Sequence, residues 1–269
     1  MTVFSIRNAA CTAEIHLQGA HVTRWHPHGA GEMLWLSERA VFAPGVPIRG
    51  GIPLCWPWFG PHPNDANAKA HGFARTRKWT LDLIEEAVDE THVRLVLRSD
   101  DETRSLWPHD FELSLDVVFG TTLDVALTTH NIGATPFTMT EALHTYLRVS
   151  DVRCVAVDGL AGTRYADKAV GHDDVQSESL LHFAGETDRV YATANDCVII
   201  DGVRRVRIAK RGSGSTVVWN PWIKKATRMT DFGDDEWTSM LCVEAANALN
   251  AAVTVAPGKT HTIATTIQR

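Results

Sequence analysis

The sequence predicts an all-β protein built from many short, mostly antiparallel strands. Three observations carry this. Apolar and polar residues alternate with a period of two from end to end, Gly, Pro and Asn punctuate the alternating runs, and helical periodicity is nearly absent. A sandwich or barrel follows from strands that bury only one face.

Taken in order, Gly19–Trp25 reads as a strand and Pro27–Gly31 as a turn. Val93, Leu95 and Leu97 form one face of a further strand, and Asp100–Leu106 is a single short helix. Phe111, Leu113, Leu115 and Val117 alternate with Glu112, Ser114 and Asp116, which marks a half-buried strand. Past a turn at Gly120, Leu123, Val125 and Leu127 continue the pattern, so the two runs read as a hairpin. Val253 and Val255 lead through Pro257-Gly258 into a last strand, Thr260–Ile267. Gly212–Ser215 is a loop too short to separate domains, so residues 1–269 read as one domain.

Composition narrows the function classes. The chain is 44% hydrophobic and 22% charged, with a net charge of −6 and a pI near 6.1. That balance offers no basic footprint for nucleic acid. No apolar run approaches the length of a membrane span, and the first residues carry no signal-peptide pattern. Cys11, Cys55, Cys154, Cys197 and Cys242 are odd in number and contain no C-x-x-C, the pattern of reduced thiols in a cytoplasmic protein. His21, His26 and His28 do not have zinc-ligand spacing, so no metal is expected. No Walker or G-x-G-x-x-G sequence follows a strand, so no nucleotide cofactor is expected either.

Four segments can carry chemistry. Pro47–Trp58 (P-I-R-G-G-I-P-L-C-W-P-W), followed by His71–Arg75 (H-G-F-A-R), holds too many Pro and Gly for a regular element. It reads as a rigid loop laying tryptophan faces and arginines beside a cavity suited to a sugar phosphate. In Glu141–Arg148 (E-A-L-H-T-Y-L-R), strand alternation puts Ala142, His144, Tyr146 and Arg148 on one face. His144 is then either an ordinary satisfied histidine or part of a cavity-lining strand. Glu244 stands in the apolar run Leu241–Ala246, where it is an exposed edge residue, a buried ion-pair partner or a general base. His144 and Glu244 together suffice for acid–base chemistry without a metal or a nucleophile. Val217–Trp222 (V-V-W-N-P-W) adds two tryptophans for packing or for a sugar platform.

With L-A-G-T, these blocks occur in an order that resembles the aldose 1-epimerase superfamily, in particular its hexose-6-phosphate mutarotases. The resemblance spans nearly the whole chain. It implies a galactose-mutarotase-like β-supersandwich acting without a cofactor on the anomeric centre of a sugar phosphate. It also implies His144 as acid, Glu244 as base, Arg49 and Arg75 as phosphate contacts, and His71 and Asp167 as sugar contacts. Ala70 stands where some members carry glutamine before H-G. A mutarotase of neutral aldoses, a non-catalytic carbohydrate-binding domain and a sugar sensor are the competing readings. A monomer is expected.

Overall fold

The computed structural model describes residues 2–269. Two large antiparallel sheets organise the chain. The nine-stranded sheet runs, edge to edge, Leu181–His182, Ala156–Asp158, Cys197–Asp201, Arg204–Arg211, Thr260–Gln268, Leu123–Asn131, Phe111–Phe119, Thr91–Arg98 and Thr80–Glu86. The eight-stranded sheet runs His172–Val175, Arg164–Asp167, Thr187–Tyr191, Ser215–Asn220, Met240–Asn247, Glu141–Leu143 and Leu54–Cys55, with Tyr146–Arg148 also paired to Met240–Asn247. A three-stranded sheet of Val3–Arg7, Cys11–His16 and His21–Pro27 and a pair formed by Phe137–Met139 and Val253–Val255 complete the β structure.

The hairpin expected at residues 111–127 forms with Phe111 opposite Asn131 and Val117 opposite Val125. Its strands alternate buried and half-buried residues without a break, which fixes the register, because a one-residue slip would turn Leu113, Leu115 and Val117 to the wet face. The short helix is Asp101–Leu106. Asp100 caps it by accepting from the Thr103 amide at 2.7 Å. A second helix, Trp222–Ala226, was not legible: five residues are too few to show a period.

Pro47–Trp58 is irregular, as expected. Its adjacent glycines are required where it crosses other chain segments: Gly51 has φ +63°, and a Cβ there would stand 2.2 Å from the Val22 carbonyl oxygen. The tryptophans behave differently from the expectation of a sugar platform. Trp56 is fully buried and donates to Thr129 Oγ1 at 3.1 Å, while Trp58 donates to the Lys69 carbonyl. Both serve the packing of the loop.

The strand Met240–Asn247 has every residue buried. Its interior place in the sheet, between Ser215–Asn220 on one side and the Glu141–Leu143 and Tyr146–Arg148 strands on the other, makes it the spine on which the site is built.

Candidate active site

Alternation on the Met240–Asn247 strand puts Cys242 and Glu244 on one face. Register places Trp219 beside Cys242 and Val217 beside Glu244. Across the other edge, the chain leaves regular pairing between Leu143 and Tyr146, and His144 projects from that gap. Its amide donates to the Pro53 carbonyl at 3.0 Å. The His144 ring stacks on Tyr146 at 4.7 Å and 8° and meets Trp219 edge-on. The result is a cavity of about 310 Å³ whose walls include His71, His144, Glu244, Val217 and Trp219. That volume lies at the lower end of the range for small-molecule sites.

His144 Nδ1 and Glu244 Oε1 stand 3.3 Å apart, without the alignment of a hydrogen bond. Both Glu244 oxygens and His144 Nδ1 are buried and have no hydrogen-bond partner in the protein. Orphaned polar atoms facing a cavity are groups awaiting a ligand. Burial raises the Glu244 carboxyl well above its ordinary range; Asp188 adds to this, while Lys168 and Arg75 oppose it. Burial holds His144 well below its ordinary value, helped by His71, Arg75 and Arg49. Burial therefore favours the neutral pair, with the shared proton on Glu244.

His71 is kept neutral, its pKa lowered to about 3 chiefly by burial and then by Arg75 and Lys168. The Gly60 amide donates to His71 Nδ1 at 3.2 Å, which leaves the proton on Nε2 as a fixed donor. Arg49 lines the cavity, with Nε on Asp231 at 3.2 Å and Nη1 on the Tyr146 hydroxyl at 2.9 Å. Arg75 is not among the lining residues. One of its nitrogens donates to the Ala70 carbonyl, and its Nε is buried without a partner.

Asp167, expected among the sugar contacts, is placed elsewhere. It accepts from Arg189 Nε at 2.9 Å and from the Ala169 amide, and it does not line the cavity. The aspartate in the cavity is Asp188, accompanied by Lys168 and Lys225. Lys225 is held by Glu186 and Asp188 at 2.9 and 3.3 Å. Lys168 lies 4.7 Å over the Phe59 ring and makes no ion pair among the described residues. Sequence reasoning missed all three. The only local signal was the lysine pair Lys224-Lys225, one residue past the N-P-W block. Of the clustered histidines, His21 is buried against the Gly50 carbonyl at 2.7 Å, while His26 and His28 are exposed.

No helix among the described residues is long and apolar enough to cross a membrane. A relative from Cenchrus ciliaris, provisionally named a glucose-6-phosphate 1-epimerase, is 41% identical over 93% of this chain and 78% of its own length. One from Escherichia coli, provisionally given the same name, is 40% identical over 88% of this chain and 80% of its own. Among solved structures, a protein from Salmonella typhimurium provisionally described as a mutarotase superposes with a TM-score of 0.93 at 34% identity, covering 99% of this chain and 89% of its own. A galactose mutarotase related enzyme from Lactobacillus acidophilus shares the fold with a TM-score of 0.78 at 14% identity, over 99% of this chain and 97% of its own. The profile of the aldose 1-epimerase family matches residues 2–268, and the chain belongs to that family.

Proposed function

We propose that this protein interconverts the α and β anomers of a hexose 6-phosphate, glucose 6-phosphate first among them, by acid–base opening and closing of the sugar ring. The observation that carries this reading is the buried His144–Glu244 pair, unpartnered and 3.3 Å apart in a cavity bordered by cations. The names of the relatives supply the phosphate ester.

Glu244 takes the proton of the anomeric hydroxyl while His144 gives one to the ring oxygen. The bond between C1 and the ring oxygen breaks, the aldehyde turns about C1–C2, and the two proton transfers run backwards on reclosure. The cyclic sugar needs the ionised form of the pair, and the open chain needs the neutral form. Burial favours the neutral form, which is the state that meets the aldehyde. Arg49 is among the charges that depress His144 and not among those that act on Glu244. A phosphate dianion at Arg49 offsets that charge and moves the shared proton toward His144, so binding prepares the acid.

Arg49 and Lys168, which line the cavity, are the phosphate contacts in this reading, and Arg75, outside the lining, adds its positive charge. Lys168 stands out as the cavity cation not already held by a carboxylate. His71 and Asp188 hydrogen-bond the sugar hydroxyls. Asp188 takes the place first given to Asp167. All five cysteines are unpaired, which supports a cytoplasmic location. The test is polarimetric mutarotation of glucose 6-phosphate beside glucose and galactose. A higher kcat/KM for the phosphate ester supports the reading, and a preference for a neutral sugar moves the protein to the neutral mutarotases.

A further inference from the structure

One buried nucleophile beside the acid–base pair has no part in the mechanism. Cys242 lies two residues before Glu244 on the same strand face, fully buried. Its Sγ, an imidazole nitrogen of His144 and a carboxylate oxygen of Glu244 all lie within 4.8 Å of one another. From these positions we propose that the catalytic pocket is also a zinc site, in which Zn²⁺ held by His144, Cys242 and Glu244 blocks turnover.

Three features support a cation of this class. Thiolate, imidazole and carboxylate together are the donor set of borderline-soft metals rather than of magnesium or calcium. Two ligand atoms on a tetrahedron with bonds of about 2.0 Å stand about 3.3 Å apart, and the His144–Glu244 edge is 3.3 Å. The atoms that would bind are not engaged elsewhere: His144 Nδ1 and both Glu244 oxygens are buried and lack hydrogen-bond partners. Glu244 and His144 also form part of the cavity wall, so a fourth coordination position would open toward the space the sugar needs. The positive charge of Lys168 and Arg75 opposes the metal, as does the burial that pushes the Cys242 thiol well above its ordinary value, while Asp188 favours it.

Ligation occupies Glu244 and His144 together, so metal and sugar exclude one another. The proposal of inhibition rests on the epimerase reading, whereas binding itself does not. The probe is Zn²⁺ alone, titrated calorimetrically into the full chain, with Co²⁺ as a spectroscopic substitute. The expected result is one bound ion per chain and a thiolate-to-cobalt charge-transfer band in the near ultraviolet. Cys242→Ala should remove that band, weaken Zn²⁺ binding by at least about tenfold and leave metal-free turnover unchanged. Cys242→Ser keeps the side-chain size should the alanine variant fail to fold, and the wild-type cobalt spectrum decides without any variant. No bound zinc, zinc binding undiminished in both Cys242 variants, or bound cobalt without a thiolate band would each overturn the proposal.

Discussion

Glu244 faces His144 across 3.3 Å, and neither of its oxygens is hydrogen-bonded to any other group of the protein. A carboxyl left in that condition is costly unless it works with its neighbour. The two should therefore fail as a unit. Glu244→Gln alone is expected to lower kcat by about 100- to 10,000-fold, and Glu244→Gln with His144→Asn should be no slower than the worse single variant. Losses that multiply in the double variant would mean the two groups act independently.

The pair's protonation predicts a pH profile. Adding a second proton means charging His144, which is held well below its ordinary value. Removing the only proton means ionising Glu244, which is held well above its ordinary range. Activity should fall on the acid side only below the usual histidine value, and on the alkaline side only above the usual carboxylate value, with a plateau between. The quantity to follow is kcat/KM, which reports the free enzyme, with the phosphate's own ionisation near about pH 6 allowed for. A kcat/KM that falls through an ordinary histidine value, beyond the phosphate's own contribution, would contradict the neutral pair.

Lys168 should separate phosphate esters from neutral sugars. Lys168→Ala is expected to raise KM for glucose 6-phosphate by about tenfold, with little change in kcat and none in KM for glucose. Lys168→Arg should restore most of the loss. Arg75→Ala should likewise raise KM for the ester far more than for glucose. Equal effects on both substrates would remove these residues from the phosphate site.

A second histidine–glutamate pair has a structural role. His261, on the nine-stranded sheet, meets buried Glu141 of the eight-stranded sheet at 3.0 Å, and Asn247 donates to the same Glu141 oxygen. The hydrogen bond to Glu141 raises the His261 pKa against the opposing effect of burial. A histidine whose folded value is raised stabilises the protein fully below its unfolded value, and that stability is lost as pH rises through the folded value. Thermal melts should show this loss above about pH 6.5, and His261→Gln should flatten it. An unchanged pH dependence in the variant would show that the pair does not link the sheets energetically.

Backbone crowding gives a further check. Gly72 has φ +69°, and a Cβ there would stand 1.9 Å from the Trp56 carbonyl oxygen. Gly72→Ala should cost on the order of 3 kcal/mol or more in urea unfolding. A loss under about 1 kcal/mol would mean that the loop yields freely there.

The strands were legible because their burial follows sequence alternation, as in Phe111–Phe119, and helix Asp101–Leu106 because Asp100 announces it. Glu244 stood out as a carboxylate in an apolar run, and His144 as part of a polar strand face with Tyr146 and Arg148. Trp56 and Trp58 did not reveal their role, since a flat aromatic ring looks the same in sequence whether it packs or faces a sugar. Asp167 and Asp188 show a subtler limit. Asp167 pairs with Arg189, one residue along from Asp188. Strand alternation then sends Asp167 and Asp188 to opposite faces, and Asp188 shares the face of its partner Trp219 in the cavity. That relation depends on a register between distant segments, which no local pattern encodes. Lys168 and Lys225 reach the cavity from a loop and a short helix through the same long-range pairing.

The central claim is tested most directly by magnetisation-exchange NMR on equilibrated glucose 6-phosphate, with wild-type protein and with His144→Asn. Exchange between the α and β anomers accelerated by wild type, and reduced by about 100-fold or more in the variant, is the predicted result. Exchange no faster than in buffer, or equally fast with His144→Asn, would contradict it.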